Sequence, residues 1–131
     1  MNDTCEPVGR ASGHAVRGGV RDQLCRWGAD ALADDAELVV SELLANAVRH
    51  GRPPVRVALT MLGRPVRRRV VRIEVTDAGT AVDVARVRAR WRHPSFRLGE
   101  IGRGLLLVDG LSTRWGDKPA PGGHTVWADL R

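Results

Sequence analysis

Between Ala11 and Trp27 the apolar positions Ala15, Val16, Val20, Leu24 and Trp27 recur every three or four residues. That interval gathers them on one face of a helix. Gly18 and Gly19 dilute it, each costing about 1 kcal/mol relative to alanine, and Gly28 can end it. The next helix has a stronger pattern. Asp34 can cap its start, with Glu37 three residues on, and Ala36, Val39, Val40, Leu43, Leu44 and Ala47 form a wide apolar stripe. Gly51 stops it, with Pro53 and Pro54 just beyond.

The period then changes to two. Val55, Val57, Leu59 and Met61 alternate with Arg56, Ala58 and Thr60, and Val71, Ile73 and Val75 alternate with Arg72, Glu74 and Thr76. A turn around Gly63–Arg64–Pro65 joins them, so the pair reads as an antiparallel hairpin with Arg67–Arg68–Arg69 at its solvated end. Residues 78–103 are irregular apart from a short helix marked by Val84, Val87 and Trp91 and ended by His93–Pro94. Leu105–Trp115 reads as a helix closed by Gly116, and a Pro/Gly turn at 119–123 leads to a last strand, His124–Leu130. This order predicts a two-layer α/β sandwich, a mixed, mostly antiparallel sheet with helices on one face. One domain over residues 10–131 follows a loose segment, 1–9.

Composition changes little in that picture. The 131 residues suit one domain able to bury a core. Cys5 and Cys25 make neither a disulfide framework nor a metal motif. No apolar leader opens the chain and no run of 18 apolar residues occurs, so the expectation is a cytoplasmic protein without a membrane partner. The net charge of +6 comes from 20 arginines against the single Lys118. With no helix-turn-helix, zinc or RNA-recognition signature, we expect no direct nucleic-acid contact. The charge can still steer an anionic ligand. His14, His93 and His124 are scattered, away from any cysteine or paired carboxylate, and predict no metal site; Trp127 reads as strand packing.

Three small groups of residues carry candidate chemistry. Glu42, Asn46 and His50 are four apart, so they share one row of a helix. Asp77 follows a strand directly, with Gly79 two residues on: a carboxylate that can accept from an exocyclic amine, and a glycine that lets a flat base approach the backbone. Gly102–Arg103–Gly104 opens a helix, where free N–H groups and the helix dipole favour an anion. Each has an ordinary alternative: a solvated helix face, a turn, a loop. No P-loop pattern is present.

Taken in order, E-x-x-x-N on a helix, D-x-G after the second strand and G-x-G-L opening a helix resemble the ATP-binding superfamily of sensor histidine kinases, type II topoisomerases and MutL-type ATPases. The stretches SELLANAVRHG (41–51), VRIEVTDAG (71–79), GRGLLLVDGLSTRWG (102–116) and GGHTVWADL (122–130) are most similar to small bacterial anti-sigma factor serine/threonine kinases. The resemblance implies a Bergerat-type ATP-binding fold with a lid at about 80–103. It implies ATP or ADP with Mg²⁺, Asn46 as the metal ligand, and Glu42 as general base. Asp77 and Gly79 would take the adenine, with Thr125 in the adenine-side network. Gly102, Arg103, Gly104 and Leu105 would lie at the phosphates, with Arg49 and His50 nearby. Because the N-terminus is short, the family's leading edge strand is expected to be absent or reduced.

By the same resemblance the activity is transfer of the γ-phosphoryl group to a small antagonist protein, with a sigma factor as second partner and a homodimer as the assembly. Arg86, Arg90, Arg97 and Arg103 are the arginines available to neutralise phosphate charge. A non-catalytic ATP- or ADP-binding module for protein interaction stays open beside the kinase.

Overall fold

The computed structural model describes residues 3–8, 13–63, 69–93 and 103–131. Its elements, in chain order, are β1 (Asp3–Val8), α1 (Gly13–Arg26), a 3₁₀ turn (Asp30–Leu32), α2 (Ala33–His50), β2 (Val55–Leu62), β3 (Val70–Asp77), α3 (Val84–Arg92), α4 (Arg103–Leu111), β4 (Arg114–Ala120) and β5 (Gly123–Leu130). The strands form one sheet in the order β1-β2-β3-β5-β4. The two-layer α/β arrangement is the expected one.

Every described strand pair is antiparallel, which corrects the expected mixed sheet. The reason is a strand hidden in the sequence. Apolar spacing at Leu105, Val108 and Trp115 continues as if one helix ran to Gly116, but α4 ends at Leu111 and Arg114–Ala120 pairs with β5. Trp115 keeps the helical interval because it faces the same core from the strand, where it is buried beside α4 and donates Nε1–H to Asp109 at 2.8 Å. Gly122, at φ 74°, turns this hairpin.

Asp3–Val8, expected to be loose, pair along β2 from Asp3↔Thr60 to Val8↔Val55. The segment lacks apolar alternation, yet it supplies backbone groups to an otherwise open edge of β2. Pro7 can sit there because an edge strand need not donate on its outer side.

The core lies between α2 and the inward row of the sheet. Ala36, Val39, Val40, Leu43 and Ala47 of α2 are buried with Val57, Leu59, Val71, Ile73, Val75, Val126, Ala128 and Leu130. Side chains such as Leu43 and Ile73, almost wholly withdrawn from water, each contribute roughly 1.5–3 kcal/mol of burial. Val16, Val20 and Leu24 dock α1 against the same core. Asp34 does not cap α2. Leu32 holds that position without a side-chain bond, and Asp34 and Glu37 both turn to Arg21 of α1, at 2.5 and 2.7 Å. The hydrogen bond from Arg21 holds the Glu37 carboxyl below its ordinary range.

Among the described residues no helix covers the outer face of the sheet around β3, β4 and β5, and cross-strand pairs supply its order. Asp129 accepts from Arg72 at 2.7 and 3.0 Å and from Arg114 at 3.4 Å, while both guanidiniums stand over the Trp127 ring. Lys118 meets Glu74 at 2.7 Å. Part of the arginine excess is therefore spent in surface pairs. No helix among the described residues is long and apolar enough to cross a membrane.

Candidate functional site

Asp77 ends β3 on the inward, core-facing side, and its carboxylate is buried. Oδ1 accepts from the backbone N–H of Gly79 at 2.6 Å and of Arg52 at 3.3 Å. The two segments are tied further by Ala78 N–H donating to Arg52 O at 2.8 Å. Such close backbone approach needs glycine. A β-carbon at Gly51 would strike the Asp77 carboxylate, and one at Gly79 would come within 2.8 Å of Oδ1 and 2.9 Å of the Gly51 Cα. Sequence logic thus becomes local geometry: the glycine that ends α2 and the glycine after β3 are the two that let a carboxylate be held rigidly at a strand end.

Asp77 lies in the lining of a small, partly open cleft at the end of β3. Leu43, Ala47, Val75, Val82 and Val126 give it apolar walls, and Asn46, His50, Gly51, Thr80 and His124 complete the lining. A cleft with apolar walls on one side and a buried carboxylate acceptor among polar groups on the other suits a flat heterocycle that carries an amino group. Asn46 and His50 point into the cleft from successive turns of α2. Glu42, one turn earlier in the same row, lies outside the cleft lining, against the first turn of α4. A β-carbon at Gly104 would collide with Glu42 Oε2. One face of α2 therefore carries the polar row from the Asp77 end of the cleft to the N-terminus of α4.

Other expected residues fall elsewhere. Thr125 is on the wrong face. It pairs in register with Thr76, and the two hydroxyls meet at 2.6 Å on the outer side of the sheet. A one-residue step along a strand reverses the side chain, so His124, not Thr125, faces the cleft. Leu105 is buried in the core, and Arg49 is exposed and outside the cleft lining. Gly102, Arg97 and the side chain of Arg103 lie outside the described residues. Within the lid, Arg86 donates its backbone N–H to Asp83, the cap of α3.

The reading of His124 as remote from paired carboxylates is overturned. Its Nε2 lies 3.1 Å from Asp77 Oδ2 and its Nδ1 lies 2.6 Å from Asp117 Oδ2. Asp117 Oδ2 also accepts from Val82 N–H at 2.8 Å. The alternation of β5 held the signal for His124, since Val126, Ala128 and Leu130 share its parity and are all buried. Asp117 carried no such signal, because β4 reads as helix and turn.

No curated protein matches this sequence. The family model of the histidine kinase-like ATPase domain matches residues 10–129. With a two-layer antiparallel α/β fold and a buried strand-end carboxylate in the lining of its cleft, the chain belongs to the histidine kinase-like ATPase domain family.

Proposed function

We propose that this protein binds ATP with Mg²⁺ in the Asp77 cleft and acts as a protein serine/threonine kinase of the anti-sigma-factor type, phosphorylating a small antagonist protein. The observation that carries the reading is the buried Asp77 acceptor in a cleft that Asn46 also lines, on the face of α2 that carries Glu42 one turn away. Asp77 would accept from the adenine amino group while Leu43, Val75 and Val126 enclose the ring. The phosphates would then extend along α2 toward α4, whose N-terminal end favours anions.

Among the described residues no group of three or more His, Cys, Asp or Glu side chains could hold a metal ion. Asn46, with its hard amide oxygen in the cleft, fits an ion that takes most of its other ligands from phosphate and water. Held there, Mg²⁺ would supply neutralisation of phosphate charge. Glu42 would take the proton of the attacking serine hydroxyl as its oxygen bonds to the γ-phosphorus and ADP leaves. A sigma factor as second partner, a homodimer and a cytoplasmic location go with this reading.

Glu42 lies against Gly104 rather than in the cleft lining. That placement favours, as a second reading, a nucleotide-binding interaction module without turnover. Incubation with γ-labelled ATP and candidate antagonist proteins separates the two. Label on a serine or threonine that disappears in Glu42→Ala, with ATP binding retained, supports the kinase. Binding without transfer supports the module.

A further inference from the structure

We propose that His124, held by Asp117, is a positioning residue that fixes how Asp77 presents itself to the bound base and thereby selects an amino group over a carbonyl at the purine six-position. The inference rests on the nucleotide reading of the cleft and adds to it the residue that sets base specificity.

The argument begins with lone pairs. Asp77 Oδ1 already accepts two backbone N–H groups, from Gly79 and Arg52. A carboxylate oxygen has room for about two such bonds. Oδ2 is therefore the atom left for a ligand, and its protein partner is His124 Nε2 at 3.1 Å. Whatever the base offers to Asp77 must share Oδ2 with His124.

His124 is not free to turn. Its Nδ1 is 2.6 Å from Asp117 Oδ2, and the three side chains are nearly sealed from water, at 6% exposure for His124, 3% for Asp77 and 4% for Asp117. Two nitrogen–oxygen bridges join the three groups, and both are satisfied only when two protons lie in them. With a proton on Nε2 directed at Oδ2, Asp77 needs no proton of its own. Its remaining lone pair then accepts only, which matches an exocyclic amine and repels a carbonyl oxygen. Without the imidazole, Oδ2 loses its fixed donor, and the lone pair that meets the amine is no longer held in one direction. Asp117 extends the arrangement to the approach to α3, because the same Oδ2 accepts from Val82 N–H.

The test is calorimetric binding of ATP and ITP, which differ at the six-position as amine and carbonyl, to the native chain, His124→Leu and His124→Gln in Mg²⁺ buffer. The native chain is expected to prefer ATP. His124→Leu should lose roughly tenfold of that preference, the scale of one buried hydrogen bond to a charged group. His124→Gln, which keeps an N–H donor, should restore most of it. Loss of ATP affinity alone, with the ATP-to-ITP ratio unchanged in His124→Leu, would overturn the inference, because a purely structural role weakens both ligands alike. So would equal binding of ATP and ITP by the native chain, which leaves the cleft a nucleotide site. Binding of neither ligand would overturn the nucleotide reading together with the inference. Should His124→Leu fail to fold, ¹⁵N NMR of the native chain decides: a protonated Nε2 on His124 supports the arrangement, and a bare Nε2 overturns it.

Discussion

Gly104 and Glu42 meet so closely that a β-carbon on the glycine would collide with the Oε2 of the glutamate. The obstacle is the far end of a flexible side chain, so the glutamate can yield while the backbone stays. Gly104→Ala should therefore fold well, and exchanging glycine for alanine in the first turn of α4 adds up to about 1 kcal/mol of helix stability. What it displaces is the candidate base. We expect a melting temperature equal to or above native, with phosphotransfer reduced at least tenfold. Thermal unfolding by circular dichroism and a label-transfer assay on the same preparation check it; native-level transfer would remove Glu42 from the mechanism.

Gly51→Ala should behave in the opposite way. Its new β-carbon would meet a carboxylate held by two backbone N–H donors and His124, which has nowhere to go. Overpacking of this kind costs about 1–3 kcal/mol. We expect a lower denaturant midpoint and loss of ATP binding together.

Asp77→Asn keeps the volume and exchanges an acceptor-only group for an amide. The backbone N–H groups of Gly79 and Arg52 can still donate to the amide oxygen, so the fold should survive. The amide NH₂ would then face both His124 and the ligand amine. Calorimetry should show ATP affinity lowered at least tenfold; retained affinity would mean that the base binds elsewhere.

Asp129→Ala serves as a control on the far face of the sheet. It leaves Arg72 and Arg114 without their shared carboxylate. Both arginines keep access to water, so the expected loss is about 1–2 kcal/mol rather than the larger cost of a sealed pair. Chemical denaturation should register it, while ATP affinity stays native because Asp129 and the cleft are on opposite sides of β5.

Acid should reveal the clasp between α1 and α2. The hydrogen bond from Arg21 lowers the Glu37 carboxyl below its ordinary 4.5 in the folded chain. A lowered folded value means the contribution is complete above that ordinary value and is lost as pH falls through the lower one. The stability gap between native chain and Arg21→Met should be widest near neutral pH and should narrow below about pH 4. Melting temperatures across that range test it, and a constant gap would show that the charge pair contributes nothing.

The sequence by itself determined the elements whose burial is periodic along the chain. α2 was legible because its stripe repeats at helical spacing, and β2 and β3 because valine, leucine and isoleucine alternate with polar residues; each pattern is a local consequence of facing one core. Asp77, Gly79, Asn46 and Glu42 were legible as an ordered set of residue types, and the structure brings Asp77 and Asn46 to one cleft, with Gly79 donating its N–H to Asp77 and Glu42 one turn of α2 away. Tertiary structure alone decided what depends on a partner strand or a remote side chain. Asp3–Val8 has no apolar alternation, and its pairing exists only because β2 offers an open edge. β4 kept a helical interval because Trp115 and α4 bury into the same space from different elements. Parity within β5 separated His124 from Thr125, since a strand reverses its side chain at each residue and the sequence does not say which face the cleft will use. The link from Asp77 through His124 to Asp117 spans three strands, so only the antiparallel register of β3, β4 and β5 could assemble it.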